Sequence, residues 1–244
     1  MTVHDGAPVF DVLDLAKRRE KAGHIFELRV PRFVLDRGGI VVARGRSGCG
    51  KSTLLDLLAM TLEPSESGTF RFSPAENEKP VDVAGLWRRK QEGRASRLRG
   101  RYIGYVLQTG DLLPFLSVAE NILLPLRLLA ETNDRLMPLA ERLEIDHLLK
   151  KMPSDLSVGE RQRVAIGRAL VHDPAVILAD EPTASVDPVT ADHVFRLLLD
   201  VARERGIALV VASHDWLRLD ALGLPALEHR LGHDEGCVRS EFWN

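Results

Sequence analysis

The chain has 244 residues, with 33 Lys+Arg against 35 Asp+Glu and 45% hydrophobic residues. That length sets one large domain or two small ones, and the apolar content excludes a disordered chain. The near-balance of charge lacks the basic excess of a general nucleic-acid binder, so no nucleic-acid partner is expected. Two cysteines, Cys49 and Cys237, exclude a disulfide framework and a Cys-based zinc site and suit a reducing cytoplasm. The longest unbroken apolar run, 207–212, has six residues, far short of the roughly 20 that span a bilayer. The first ten residues show no basic stretch followed by an apolar one, so no signal peptide is expected.

Phe26, Leu28 and Val30 alternate with polar residues, and Phe33 and Leu35 continue after Pro31, which predicts strands in the first third. Residues 40–43 form a short apolar strand running into a glycine-rich loop, and 51–60 reads as a helix stopped near Pro64. Strands are predicted at 69–72 and 102–107. Between them, 88–101 holds seven basic residues and one acid, Glu92. This reads as a solvated helix face, or as a contact for acidic phospholipid heads or a partner's loop. Residues 111–152 are Leu-rich and spaced like helices, with breaks predicted at Pro114, Pro125, Pro138 and Pro153. Residues 157–171 form an amphipathic helix. The runs at 176–179 and 208–212 suit parallel strands buried on both faces. Between these runs, Asp187 is placed as an N-cap, Pro188 as the first helical residue and Gly206 as the helix end. Strands alternating with helices predict an α/β sheet.

The run Gly45-Arg46-Ser47-Gly48-Cys49-Gly50-Lys51-Ser52 matches G-x-x-x-x-G-K-[ST] between a strand and a helix. The glycines let backbone N–H groups turn inward around phosphate oxygens, and the helix N-terminus adds its partial positive charge. Lys51 suits the β- and γ-phosphates and Ser52 suits Mg²⁺. Thr53, in the same first turn, is counted among the nucleotide-binding residues. The apolar run at 176–179 ends in Asp180 and Glu181. In this setting Asp180 can hold Mg²⁺, and Glu181 can orient and deprotonate an attacking water.

Three further features accompany the phosphate loop. Leu156-Ser157-Val158-Gly159-Glu160-Arg161-Gln162-Arg163 opens a helix, Gln108 ends the 102–107 strand, and Ser213-His214-Asp215 follows the last apolar run. Each also has an ordinary reading; Ser157 and Glu160, for example, form a capping box. Together, in this order and spacing, they resemble the nucleotide-binding subunit of ATP-binding cassette (ABC) transporters, from about residue 25 to about residue 232. The resemblance implies a P-loop cassette in a single domain. A nucleotide-binding core with an N-terminal antiparallel β subdomain would span about 8–110 and 156–244, and a helical insertion about 111–155. It implies ATP and Mg²⁺ as ligands, with Ser52, Gln108 and Asp180 as metal contacts. It also implies a head-to-tail pair of chains, in which Ser157, Gly159 and Glu160 of one copy meet the nucleotide on the other. Glu181 and His214 would act on the water, Gln108 would link the site to the insertion, and Asp187 would couple the two sites.

The sequence departs from the family pattern at Val158, where the first of two signature glycines usually sits, and at Glu160, where Gln is usual. The position that usually stacks a Tyr on adenine falls near Arg19, whose guanidinium can stack on the base; Phe26 is the other candidate, though it alternates like a core residue. The stretch around Ile103–Gln108, Asp111–Phe115 and Val118–Leu126 is similar to ATPases of the lipoprotein-release, macrolide-efflux and cell-division branch. That likeness implies an integral-membrane permease with a large extracytoplasmic domain as partner, and a place in the cytoplasm against the inner face of the membrane. The alternative is a regulatory or scaffolding cassette that binds ATP with little transport of its own.

Overall fold

The computed structural model describes residues 7–21, 24–76, 78–132, 134–234 and 237–244. The first six residues, part of the stretch bearing on a signal peptide, lie outside them. β1 (Phe10–Lys21) pairs antiparallel with β2 (His24–Leu35). β3 (Ile40–Arg44) leads through the glycine-rich loop into α1 (Lys51–Leu58), and β4 (Glu66–Phe72) returns against β1. A short β5 (Val81–Asp82), α2 (Val83–Arg88), α3 (Glu92–Tyr102) and β6 (Ile103–Val106) follow. Next come α4 (Val118–Leu129), α5 (Leu136–Arg142) and two 3-10 turns, then α6 (Val158–Leu170), β7 (Val176–Asp180), α7 (Pro188–Glu204), β8 (Ala208–Ser213) and α8 (Trp216–Ala221). A hairpin of β9 (Glu228–Asp234) and β10 (Cys237–Trp243) ends the chain.

Two sheets result. One has the order β5-β4-β1-β2-β10-β9; the other, β3-β8-β7-β6, is parallel throughout. One apolar cluster fills the space between the sheets around α1, with Phe10, Phe33, Phe70 and Phe72 fully buried. A second lies on the other face of the parallel sheet against α4, α6 and α7. Coverage on both faces explains why β7 and β8 read as unbroken apolar runs.

The antiparallel strands share a bend. Buried apolar positions in β2 are Leu28 and Val30 before Pro31, and Phe33 and Leu35 after Arg32. In β1 they are Phe10 and Val12, then Leu15 and its neighbour Ala16, with Asp14 at φ +52° between. Gly68 of β4 lies beside them, where a Cβ would stand 2.9 Å from the Leu13 carbonyl oxygen. The inward face therefore shifts by one residue on both strands, which a strict two-residue alternation does not anticipate.

The breaks expected at Pro125 and Pro138 are not observed. Pro125 lies inside α4, and Pro138 is the third residue of α5, where an N–H has no intrahelical partner. An interior proline costs about 3 kcal/mol. In α4 this is opposed by the Ser117–Glu120 capping box, the burial of Val118, Ile122 and Leu126, and Asn121, whose buried amide donates to the Leu113, Leu116 and Ser117 carbonyls. The expected strand at 102–107 is shorter because α3 runs to Tyr102. The basic face is only partly free: Arg99 donates to the Met60 carbonyl, and Arg101 donates to that of His172.

Candidate nucleotide and water-activation site

The C-terminal ends of the four parallel strands set out the site. β3 supplies the glycine-rich loop, β7 Asp180 and Glu181, β8 His214, and β6 the loop of Gln108. A cleft of about 490 Å³ opens there, lined by Ser47, Gly48 and residues 50–53 of the loop and helix start together with Gln108, Asp180, Glu181 and His214. Arg19 and Phe26, directly opposed across β1 and β2, close one side. Both residues considered for the base thus border the same cleft, and Phe26 also packs on the core beneath.

Lys51 is only 5% exposed. Its ammonium donates to the Gly45 carbonyl at 2.8 Å and the Arg46 carbonyl at 3.2 Å, and lies 3.2 Å from Glu181 Oε1. The loop that would surround phosphate thereby holds its own lysine. Gly50 has φ +100°, and a Cβ there would lie 2.8 Å from Phe26 Cζ, so glycine is required on both counts. Cys49 is buried under the loop, and burial pushes its thiol up.

Glu181 accepts from the His214 backbone N–H at 3.3 Å, and its Oε2 lies 2.7 Å from His214 Nδ1. Its backbone sits at φ +47°. Asp180 is desolvated, which raises its pKa; the Ser52 hydroxyl and nearby Lys51 act in the opposite sense. Its Oδ1 is buried without a hydrogen-bond partner. An orphaned carboxylate oxygen beside a serine hydroxyl, with Gln108 on the same cleft, is a hard oxygen donor set that fits Mg²⁺.

Ser157, Gly159, Glu160 and Asp187 do not line this cleft. Ser157 caps α6: its hydroxyl accepts from the Glu160 N–H at 3.3 Å while Glu160 Oε2 accepts from the Ser157 N–H at 2.7 Å. These bonds hold the Glu160 carboxyl below its usual range. Asp187 caps α7 through the Thr190 N–H. Gly159 is buried, and a Cβ there would stand 2.5 Å from Thr190 Cγ2. The start of α6 therefore needs its glycine to pack on α7, while Val158 beside it is exposed.

Two residues that sequence reasoning missed connect these parts. Gln162 donates to the Leu107 carbonyl, and Arg168 donates to the Gly110 and Asp111 carbonyls. Both lie on α6, so this helix grips the Gln108 loop from either side. Nothing in the spacing of α6 marks these side chains, because the loop they hold lies more than 50 residues earlier in the chain.

The sequence model of the family described as ABC transporter matches residues 28–184. The chain is 38% identical to the lipoprotein-releasing system ATP-binding protein LolD of Hydrogenovibrio crunogenus, over 84% of this chain and 88% of that protein. It is 45% identical to LolD of Bordetella pertussis, over 73% and 74%. Among solved structures it superposes on the dimeric bacterial ABC transporter cassette MJ0796 with a TM-score of 0.69 at 28% identity, covering 86% of this chain and 89% of that one. The same cassette in a post-hydrolysis state with ADP and Pi gives 0.68.

Proposed function

The chain belongs to the ABC transporter family and has the fold of its ATPase cassettes; from that premise we propose that it is the ATP-binding, ATP-hydrolysing subunit of a membrane complex of the lipoprotein-release and macrolide-efflux kind. The observation that carries this reading is the Lys51–Glu181–His214 cluster, built from three adjacent strand ends at the mouth of one cleft.

In this mechanism the loop N–H groups and Lys51 hold the β- and γ-phosphates of ATP. Ser52, Asp180 and Gln108 would hold Mg²⁺, which supplies charge neutralisation at the phosphates. Glu181 accepts a proton from the attacking water, and His214 orients that carboxylate and the water. Arg19 and Phe26 bracket the base. Ser157, Gly159 and Glu160 lie outside the cleft, which supports their service to a second copy's nucleotide; Asp187 would couple the two sites. ATP then closes two copies head to tail.

The core of about 8–110 and 156–244 carries the chemistry, and the insertion of about 111–155 faces the permease. Phe115, 72% exposed beside the Gln108 loop, supports a dock there. Among the described residues no helix is long and apolar enough to cross a membrane. The likeness to lipoprotein-releasing system ATP-binding proteins supports a place at the inner face of the cell membrane, bound to an integral permease with a large extracytoplasmic domain.

The purified chain is expected to release inorganic phosphate from MgATP and to co-purify with an integral membrane protein from detergent extracts. Lys51→Ala should lose both nucleotide binding and hydrolysis. A Lys51→Ala protein that binds MgATP like the wild type overturns the reading.

A further inference from the structure

The underside of the phosphate loop rests on the C-terminal hairpin. Ser240, fully buried in β10, donates its hydroxyl proton to the Cys49 carbonyl at 2.6 Å. Its oxygen lies 3.0 Å from Nε2 of His229 on β9. The Ser240 proton is committed to Cys49, so the imidazole is the donor in that second bond. The His229 ring is itself fixed, stacked on Phe242 with centroids 4.4 Å apart.

The Cys49–Gly50 peptide is trans, as is every peptide among the described residues. In a planar trans peptide the C=O and the following N–H point in opposite directions. A Cys49 carbonyl drawn down onto Ser240 therefore turns the Gly50 N–H up, and Gly50 lines the cleft. Gly50 at φ +100° has no side-chain preference to hold that orientation by itself.

We propose that Ser240, locked by His229, is a positioning residue for nucleotide binding: it sets the Cys49–Gly50 peptide so that the Gly50 N–H is presented to the phosphate oxygens. The assignment rests on the nucleotide reading of the loop. It also gives β9 and β10, which carry none of the motif residues, a direct part in the site.

The test is isothermal titration of the full chain with MgADP and with MgATP, alongside melting curves without nucleotide and steady-state kinetics. Ser240→Ala is expected to weaken both nucleotides about tenfold, the scale of one lost hydrogen bond to a charged oxygen. KM for ATP should rise more than kcat falls, and Ser240→Thr, which keeps the hydroxyl, should recover most of the affinity. His229→Phe keeps a ring against Phe242 but cannot donate, and should weaken binding in the same direction. A folded Ser240→Ala protein with wild-type affinity overturns the proposal, as does a lowered melting temperature with unchanged affinity. Should Ser240→Ala fail to fold, His229→Phe decides by the same criteria. A wild-type chain that binds neither nucleotide overturns the reading of the loop itself, an outcome distinct from a wild type that binds and a Ser240→Ala variant that binds equally well.

Discussion

Nδ1 of His214 stands 2.7 Å from Oε2 of Glu181, while Oε1 of the same carboxylate stands 3.2 Å from the Lys51 ammonium. One carboxylate is thus shared between an imidazole and a largely buried cation. On the proposed mechanism, phosphate oxygens that engage Lys51 would draw it from this contact, so nucleotide binding and the placement of the proposed base meet in a single residue.

Glu181→Gln keeps the shape and an oxygen for Lys51 but cannot take a proton. Hydrolysis is expected to fall by about 10²–10⁴-fold, the usual weight of general-base catalysis, with MgATP binding retained. Single-turnover phosphate release measures the chemistry, and size exclusion with MgATP reports whether trapped ATP holds two copies together. Wild-type turnover together with a monomeric elution profile would remove both assignments.

Asp180→Asn separates metal binding from folding. Burial raises the Asp180 pKa above its ordinary 3.8, so the native state binds this proton more tightly than the unfolded chain does. The sign follows: the contribution is absent below the ordinary value, and stability is lost as the pH rises from there through the raised native value. At neutral pH the ionised carboxylate thus weakens the metal-free fold, and the amide should melt at the same or a higher temperature. The same variant should need at least about tenfold more Mg²⁺ for half-maximal ATPase, since second-layer losses alone cost 10–100-fold at metal sites. A lower melting temperature with unchanged Mg²⁺ dependence would contradict both halves.

Gly159→Ala pushes a methyl group to within 2.5 Å of Thr190 Cγ2. Overpacking of this kind costs about 1–3 kcal/mol. Thr190→Ser removes the opposing methyl and should restore most of the melting temperature in the double variant. ATPase should stay low in that double variant if Gly159 also meets nucleotide across the dimer. Recovery of both properties would mean that Gly159 serves packing alone.

Phe115→Ser should leave folding intact, because the ring is 72% exposed. Its neighbour Leu116 is half-buried, so the change is confined to Phe115. Binding of the permease in a pull-down from detergent extract is expected to be lost. Leu128→Ser, on the apolar groove between α3 and α4, discriminates the neighbouring surface; loss of binding in that variant alone would move the dock to the groove.

The parallel sheet was legible because its strands are short, apolar and buried on both sides, so burial and sequence say the same thing at 176–179 and 208–212. The motif residues were legible for a related reason: Lys51, Asp180, Glu181 and His214 all sit where such strands stop. The long antiparallel strands were harder. β1 reads as charged over its second half, and the bend at Asp14 and Pro31 breaks the alternation that would have marked it. The C-terminal hairpin escaped notice because its buried members include Ser240, whose value lies in one hydrogen bond 191 residues away in sequence. Gln162 and Arg168 were missed likewise, since a side chain that holds a distant backbone carbonyl leaves no local period.

The left-handed backbone of Glu181 has a consequence for how this chain can change. An L-residue other than glycine at φ +47° carries a conformational cost of about 1–2 kcal/mol, which glycine largely escapes and asparagine reduces. Glycine or asparagine at 181 would relieve that backbone but leave the largely buried Lys51 ammonium, 3.2 Å away, without its carboxylate. Breaking a buried pair costs about 3–5 kcal/mol, more than the backbone gains, so the ion pair by itself keeps an acid on the left-handed residue and the fold has no thermal incentive to exchange it.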